Sequence, residues 1–188
     1  MKSEGSDGQF PLIVRTIGSL PPSAGATLVV GIDGCGGAGK STFAARLAEE
    51  VGGVDIVHTD DFASWDNTLN WWPRLLEQVL EPLARGEVAR YQKFDWELNQ
   101  LSDWREVRQP VVIVEGVSAC RVEFRPFLGL KVFIDCPRDE RLRRGLLRDG
   151  PGAEPQWLRW MSDEDRYMQV HHPDEVAEFI VNGSRATE

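Results

Sequence analysis

Gly34-Cys-Gly-Gly-Ala-Gly-Lys-Ser41 constrains the fold of this chain more than any other segment. It satisfies G-x-x-x-x-G-K-[ST] in full. The β-rich apolar run Thr27-Leu-Val-Val-Gly-Ile-Asp33 precedes it and the helix formers Ser41 to Glu50 follow, which is the strand, loop and helix setting the motif requires. Glycines let backbone N–H groups turn inward around phosphate oxygens, and the helix N-terminus adds a dipole favourable to the same anion. The expected phosphate cradle is Gly34, Gly36, Gly37, Ala38, Gly39, Lys40, Ser41 and Thr42. Lys40 is expected to reach the β- and γ-phosphates of a nucleotide such as ATP, and the Ser41 hydroxyl to ligate Mg²⁺.

The rest of the chain continues the alternation of strand and helix. Val54 to Thr59 reads as a second strand, ending in Asp60 and Asp61. Trp72, Leu75, Leu76, Val79, Leu80 and Leu83 recur at helical spacing. Tyr91 to Val107 is less regular; Pro110 to Glu115 and Leu130 to Asp135 read as further strands. Arg138 to Arg148 and Gln156 to Val170 read as helices, the first basic, and Glu175 to Val181 as a last strand. Such an order predicts an α/β fold of the P-loop NTPase type, a parallel sheet with helices on both faces and a ligand site beyond the carboxyl ends of the strands. Residues 1–188 are expected to form one domain, with 1–26 as an N-terminal lead-in whose start, Met1 to Gly8, is flexible, and about 138–170 as a basic helix and lid region.

Charge and cysteine content limit the partners. A formal net charge of −9 argues against nucleic acid or an anionic membrane as the main partner. The start, Met1 to Gly8, lacks an apolar core of a secretory signal, and no run suits a membrane helix. Cys35, Cys120 and Cys136 are odd in number and far apart, as in a reducing, cytoplasmic setting; Cys35 reads as a small residue of the loop rather than a redox switch. A homodimer is compatible with all of this.

Four expected strands end in Asp33, Asp60, Glu115 and Asp135, which places acids along one sheet edge. Phosphoryl transfer to an alcohol needs a carboxylate that orients the hydroxyl and accepts its proton, together with metal ligands. Of the adjacent Asp60 and Asp61 only one can face the phosphate loop, and Asp60 is the candidate base. Glu115, ending an apolar strand, is costly to bury without a partner, and Mg²⁺ or its water shell supplies one. Arg141, Arg144 and Arg148 share a helix face, where guanidinium groups can offset charge on a transferring phosphoryl group; Arg144 and Arg148 are the candidate catalytic contacts. A small alcohol could sit against Tyr91, Asp95 and Trp96, with Trp65, Asp66, Trp71 and Trp72 as further lining.

Gly31-Ile-Asp-Gly-Cys-Gly-Gly-Ala-Gly-Lys-Ser-Thr42, Thr59-Asp60-x-Phe62, Val114-Glu-Gly116 and Arg141-Leu-x-Arg144…Arg148-Asp149 together resemble the uridine kinase-like P-loop kinases, related to phosphoribulokinase and bacterial pantothenate kinase. The resemblance runs from about Thr27 to Gly183. It implies a five-stranded parallel sheet of the nucleoside/nucleotide kinase type, ATP and Mg²⁺ as cofactors, and a small-molecule hydroxyl as acceptor. It also implies Asp60 as base, Glu115 as the acid that assists the metal, and arginines of a mobile lid at Arg141, Arg144 and Arg148. Where uridine kinases carry a Tyr followed by His and Arg, this chain reads Tyr91-Gln-Lys-Phe-Asp-Trp96. A nucleoside is therefore one acceptor among several, the others being a sugar, a vitamin precursor or an antibiotic hydroxyl. The alternative from another class is a nucleotide-hydrolysing ATPase or regulatory switch without a small-molecule acceptor. The guanine-reading N-K-x-D sequence is absent.

Overall fold

The computed structural model describes residues 6–64 and 67–184, so Trp65 and Asp66 of the expected pocket lie outside the described residues. Five parallel strands form the central sheet: β1 (Leu28–Asp33), β2 (Asp55–His58), β5 (Val111–Glu115), β6 (Leu128–Asp135) and β7 (Phe179–Asn182), in the order β2-β5-β1-β6-β7. Every residue of β1 is buried, as a central strand covered on both faces requires. Alternation sends Val29 to one core and Val30 and Ile32 to the other.

One core lies between the sheet and α2 (Lys40–Glu50), where Phe43 and Leu47 meet Ile113 and Val30. It also holds α1 (Ser6–Ser19), whose Phe10, Ile13 and Ile17 are buried at helical spacing. The Phe10 ring meets Phe43 edge-on at 5.5 Å and lies under the Arg46 guanidinium at 4.1 Å. Residues 6–19 of the lead-in thus form a packed helix. Their amphipathic spacing is a signal that the polar first eight residues obscure.

The opposite core contains Val29, Val112 and Val114 of the sheet with Leu75, Val79 and Leu80. These last residues come from a helical stretch in three pieces: α3 (Trp72–Leu75), a π turn over Leu76–Leu80, and α4 (Glu81–Ala84). Pro82 has no N–H to donate back along the helix, and the wide turn directly precedes α4. The stretch without regular pattern is a two-stranded antiparallel hairpin, β3 (Ala89–Asp95) and β4 (Gln100–Val107), with a register shift between Gln92 and Phe94. Most of β4 is exposed, so neither face had to be apolar and the two-residue alternation is blurred.

After β6 the chain forms α5 (Arg138–Asp149), α6 (Glu154–His171) and the short α7 (Pro173–Val176), which occupies the start of the expected last strand. Among the described residues no helix is long and apolar enough to cross a membrane.

Candidate active site

Strands β1, β2 and β5 end together: Ile32 pairs with Glu115, and Glu115 pairs with His58. Beyond those ends lies a cavity of about 740 Å³. Its floor is the phosphate loop, including Gly36, Gly37, Gly39, Lys40, Ser41 and Thr42, with Glu115 and Asp60 beside it. Gly34 and Ala38 do not line the cavity; both belong to the same loop, and Ala38 is fully buried.

The loop can take its shape only with small residues. Gly37 has φ +77°, and a Cβ there would lie 2.6 Å from the Arg141 carbonyl oxygen. Gly39, in the left-handed region, begins α2 with no side-chain cap, which leaves the first helical amides directed at the cavity. The Lys40 ammonium donates to the Cys35 carbonyl at 3.0 Å, folding over the loop. Burial pushes the Cys35 thiol up to about 12, with Glu164 adding to the effect, so Cys35 is not a reactive thiolate.

The Ser41 hydroxyl donates to Glu115 Oε1 at 3.0 Å, and His58 Nδ1 meets Glu115 Oε2 at 2.6 Å. Burial opposes the Glu115 charge, but the His58 hydrogen bond, Lys40 and Ser41 outweigh it and hold the carboxyl below its ordinary range. The same hydrogen bond raises the His58 pKa. Gly116 follows because a Cβ there would lie 1.9 Å from the Thr59 hydroxyl oxygen. A hydroxyl and a carboxylate at one edge of a phosphate cradle form a hard-oxygen set that fits Mg²⁺, which keeps few protein ligands and takes the rest from water and phosphate.

Asp60 and Asp61 diverge, as adjacent side chains must. Asp61 turns into the core, accepts from the Tyr91 hydroxyl at 3.0 Å and pairs with Lys93 at 3.2 Å. Asp60 lines the cavity. The protein crowding around its carboxyl raises its pKa; Lys40 works against that rise and Glu115 adds to it. Trp96 also lines the cavity, and its indole N–H donates to the Asp60 backbone carbonyl at 3.2 Å.

Several expected site residues lie elsewhere. Tyr91 is a core residue, 3% exposed and stacked on Phe62, because its hydroxyl already has a buried partner in Asp61. Asp95 caps the hairpin turn by accepting from the Glu97 and Leu98 amides. Trp71 is buried with its N–H on the Thr68 carbonyl, and Trp72 lies beneath Arg121. Asp33 is buried and accepts from the amides of Gly34, Ser118 and Cys120 and from the Tyr167 hydroxyl, which makes it a structural hub. Asp135 lies in a separate cleft of about 260 Å³.

Arg141, Arg144 and Arg148 of α5 separate by depth. Arg141 is buried and paired with Glu164 at 3.0 Å, so it is a structural ion pair and not a lid contact. Arg144 pairs with Glu140 and donates to the Gly37 and Gly183 carbonyls. Arg148 is exposed, pairs with Asp149 at 2.7 Å and lies over the Trp157 ring at 5.6 Å. Both Arg144 and Arg148 line the cavity.

The residues that sequence reasoning missed lie on α6. Trp157, Met161, Glu164 and Tyr167 form its buried face, and Gln156, Trp160 and Asp163 also line the cavity. A glutamate recurring at helical spacing with large apolar residues was the available signal.

A family model described as an AAA domain matches residues 30–169. A uridine kinase of Deinococcus deserti is 31% identical over 141 residues, covering 64% of this chain and 68% of that protein. A uridine kinase of Macrococcus caseolyticus is 24% identical over 166 residues, covering 78% and 79%. A solved structure described as a possible uridine kinase from Bacillus stearothermophilus superposes with a TM-score of 0.68 at 22% identity, covering 94% of this chain and 98% of that one.

Proposed function

The chain belongs to the AAA-domain family as a uridine kinase-like P-loop kinase, and on that premise we infer that it transfers the γ-phosphoryl group of ATP, with Mg²⁺, to a hydroxyl of a small molecule. One observation carries the reading: Asp60, with its raised pKa, faces the same cavity as Lys40, Ser41 and Glu115. A carboxylate so placed can orient a hydroxyl held in the cavity and accept its proton. A hydrolytic switch needs a held water rather than an acceptor pocket, and the cavity extends past Asp60 to Ala63, Thr68, Leu69 and Trp96.

In this reading the loop amides and Lys40 hold the phosphates. Ser41 and Glu115 hold Mg²⁺, which when bound neutralises charge on the phosphates. Asp60 orients the acceptor hydroxyl and takes its proton, and Arg144 and Arg148 face the transferred group from α5.

The acceptor carries no anionic group. Among the described residues, the cations that line the cavity are Lys40, Arg144 and Arg148, all at the phosphate loop or α5. Nearer the acceptor end, Lys93 is held by Asp61, Arg74 by the Phe62 and Gln92 carbonyls, and Arg121 by Glu123 and the Leu69 carbonyl. None of these three lines the cavity. A carboxylate or phosphate on the acceptor would lose its water without gaining a counter-charge. Nucleosides and free sugars meet the requirement.

The test is ATP consumption measured against pooled nucleosides, sugars, vitamin precursors and antibiotics, with Asp60→Asn as control. Stimulation by a pool whose members carry no carboxylate or phosphate, lost in the variant, is the expected result. Nucleotide binding with no stimulation by any pool would turn the reading toward a switch.

A further inference from the structure

The phosphate loop is held from outside by α6. Trp157 packs on Gly36, where a Cβ would lie 3.3 Å from the indole, and on Gly145 of α5, where a Cβ would lie 2.3 Å from it. One helical turn past Met161, Glu164 Oε1 accepts the Gly36 backbone N–H at 2.7 Å. Tyr167, three residues on, donates to Asp33 at the end of β1. Three side chains of one helix face therefore contact the leading half of the loop and the strand residue just before it.

We propose that Glu164 is a positioning residue of the nucleotide site, fixing the Gly36 peptide so that the remaining loop amides face the phosphates. The inference rests on the phosphate loop being the nucleotide site.

A carboxylate on a phosphate-loop amide could instead be an internal phosphate mimic that ATP must displace. The surroundings of Glu164 favour the fixed role. Its second oxygen, Oε2, accepts from Arg141 Nη1 at 3.0 Å, and Arg141 Nε donates to the Cys136 carbonyl at 3.1 Å. Glu164 and Arg141 are 6% and 7% exposed. A carboxylate with both oxygens engaged and its charge compensated has no reason to leave, and moving it would strand Arg141 in the interior. The Gly36 amide is then permanently engaged by protein. The phosphate is left to the amides nearer α2 and to Lys40.

The test is nucleotide affinity of the full-length protein, measured by calorimetry with a non-hydrolysable ATP analogue and Mg²⁺. Glu164→Gln keeps an oxygen for the Gly36 amide but loses the charge facing Arg141, and should weaken binding about tenfold; Glu164→Ala should weaken it further. The acceptor KM should stay within about twofold, since Gly36 is remote in role from Asp60. A helix residue that only stabilises the fold would lower the melting temperature and leave the affinity of the folded protein unchanged, which would overturn the proposal. Tighter binding in either variant would also overturn it, because that is the signature of a displaced mimic.

Amide hydrogen exchange at Gly36 in the wild-type protein gives the same decision without any variant. Protection with and without the analogue is expected; exchange that is fast without it and slowed by it contradicts the fixed role. If the wild-type protein binds no nucleotide at all, the kinase reading itself fails, an outcome distinct from equal binding by wild type and Glu164→Gln.

Discussion

The Ser41 hydroxyl donates to Glu115 Oε1 at 3.0 Å, tying the first turn of α2 to the end of β5. The hydroxyl comes from the phosphate loop and the carboxylate from a strand more than seventy residues later, so the pair exists only because β1 and β5 are neighbours in the sheet. An oxygen pair so held at the phosphate cradle predicts a dependence of Mg²⁺ affinity on Glu115. Glu115→Gln retains the shape and removes the charge. The Mg²⁺ concentration for half-maximal turnover should rise about 10- to 100-fold. An unchanged Mg²⁺ titration would remove Glu115 from the metal site.

Asp60→Asn should lower kcat by about 10²- to 10⁴-fold and leave ATP affinity nearly intact, because the carboxamide cannot take a proton. Full activity in this variant would move the role of base elsewhere.

The pH profile carries a signed expectation. The Asp60 pKa is raised, chiefly by burial, and a base works only when deprotonated. Activity should therefore be lost as pH falls through a value above that of an ordinary aspartate, giving kcat/KM an acidic limb shifted upward. A limb at the ordinary aspartate value, or one that persists in Asp60→Asn, would contradict the assignment.

Trp96→Ala should raise the acceptor KM more than the KM for ATP. The indole lines the cavity that Asp60 also lines, and its N–H donates to the Asp60 carbonyl at 3.2 Å. Trp96→Phe keeps a ring but not that hydrogen bond, and should fall between the two. Equal changes in both KM values would make Trp96 a general packing residue.

Gly145→Ala tests the seat of Trp157. The added methyl would lie 2.3 Å from the indole, and neither helix backbone can yield easily. Loss of about 1–3 kcal/mol in stability, read from the urea midpoint, is the expected cost of overpacking. A neutral effect would show that α5 and α6 are free to move apart.

Much of this protein is legible in its sequence because the signals are local. The run from Thr27 to Glu50 specifies strand, phosphate loop and helix through apolar residues, glycines and a lysine in direct succession, and the parallel sheet follows from alternating elements. Adjacency required only that Asp60 and Asp61 diverge; the structure puts Asp60 on the cavity and Asp61 against Tyr91. The opening helix and the β3–β4 hairpin are not legible there, one hidden by a polar start and the other by a strand that buries almost nothing.

Tertiary structure alone decided the rest, because partners far apart in the chain set what a buried polar group does. Asp61 claims the Tyr91 hydroxyl and removes that ring from the expected pocket. Glu164, 23 residues after Arg141, turns an arginine of the expected lid into a buried ion pair. Periodicity puts a residue on a helix face, but only the packing of that face against another element determines whether its charge meets a ligand or a counter-charge.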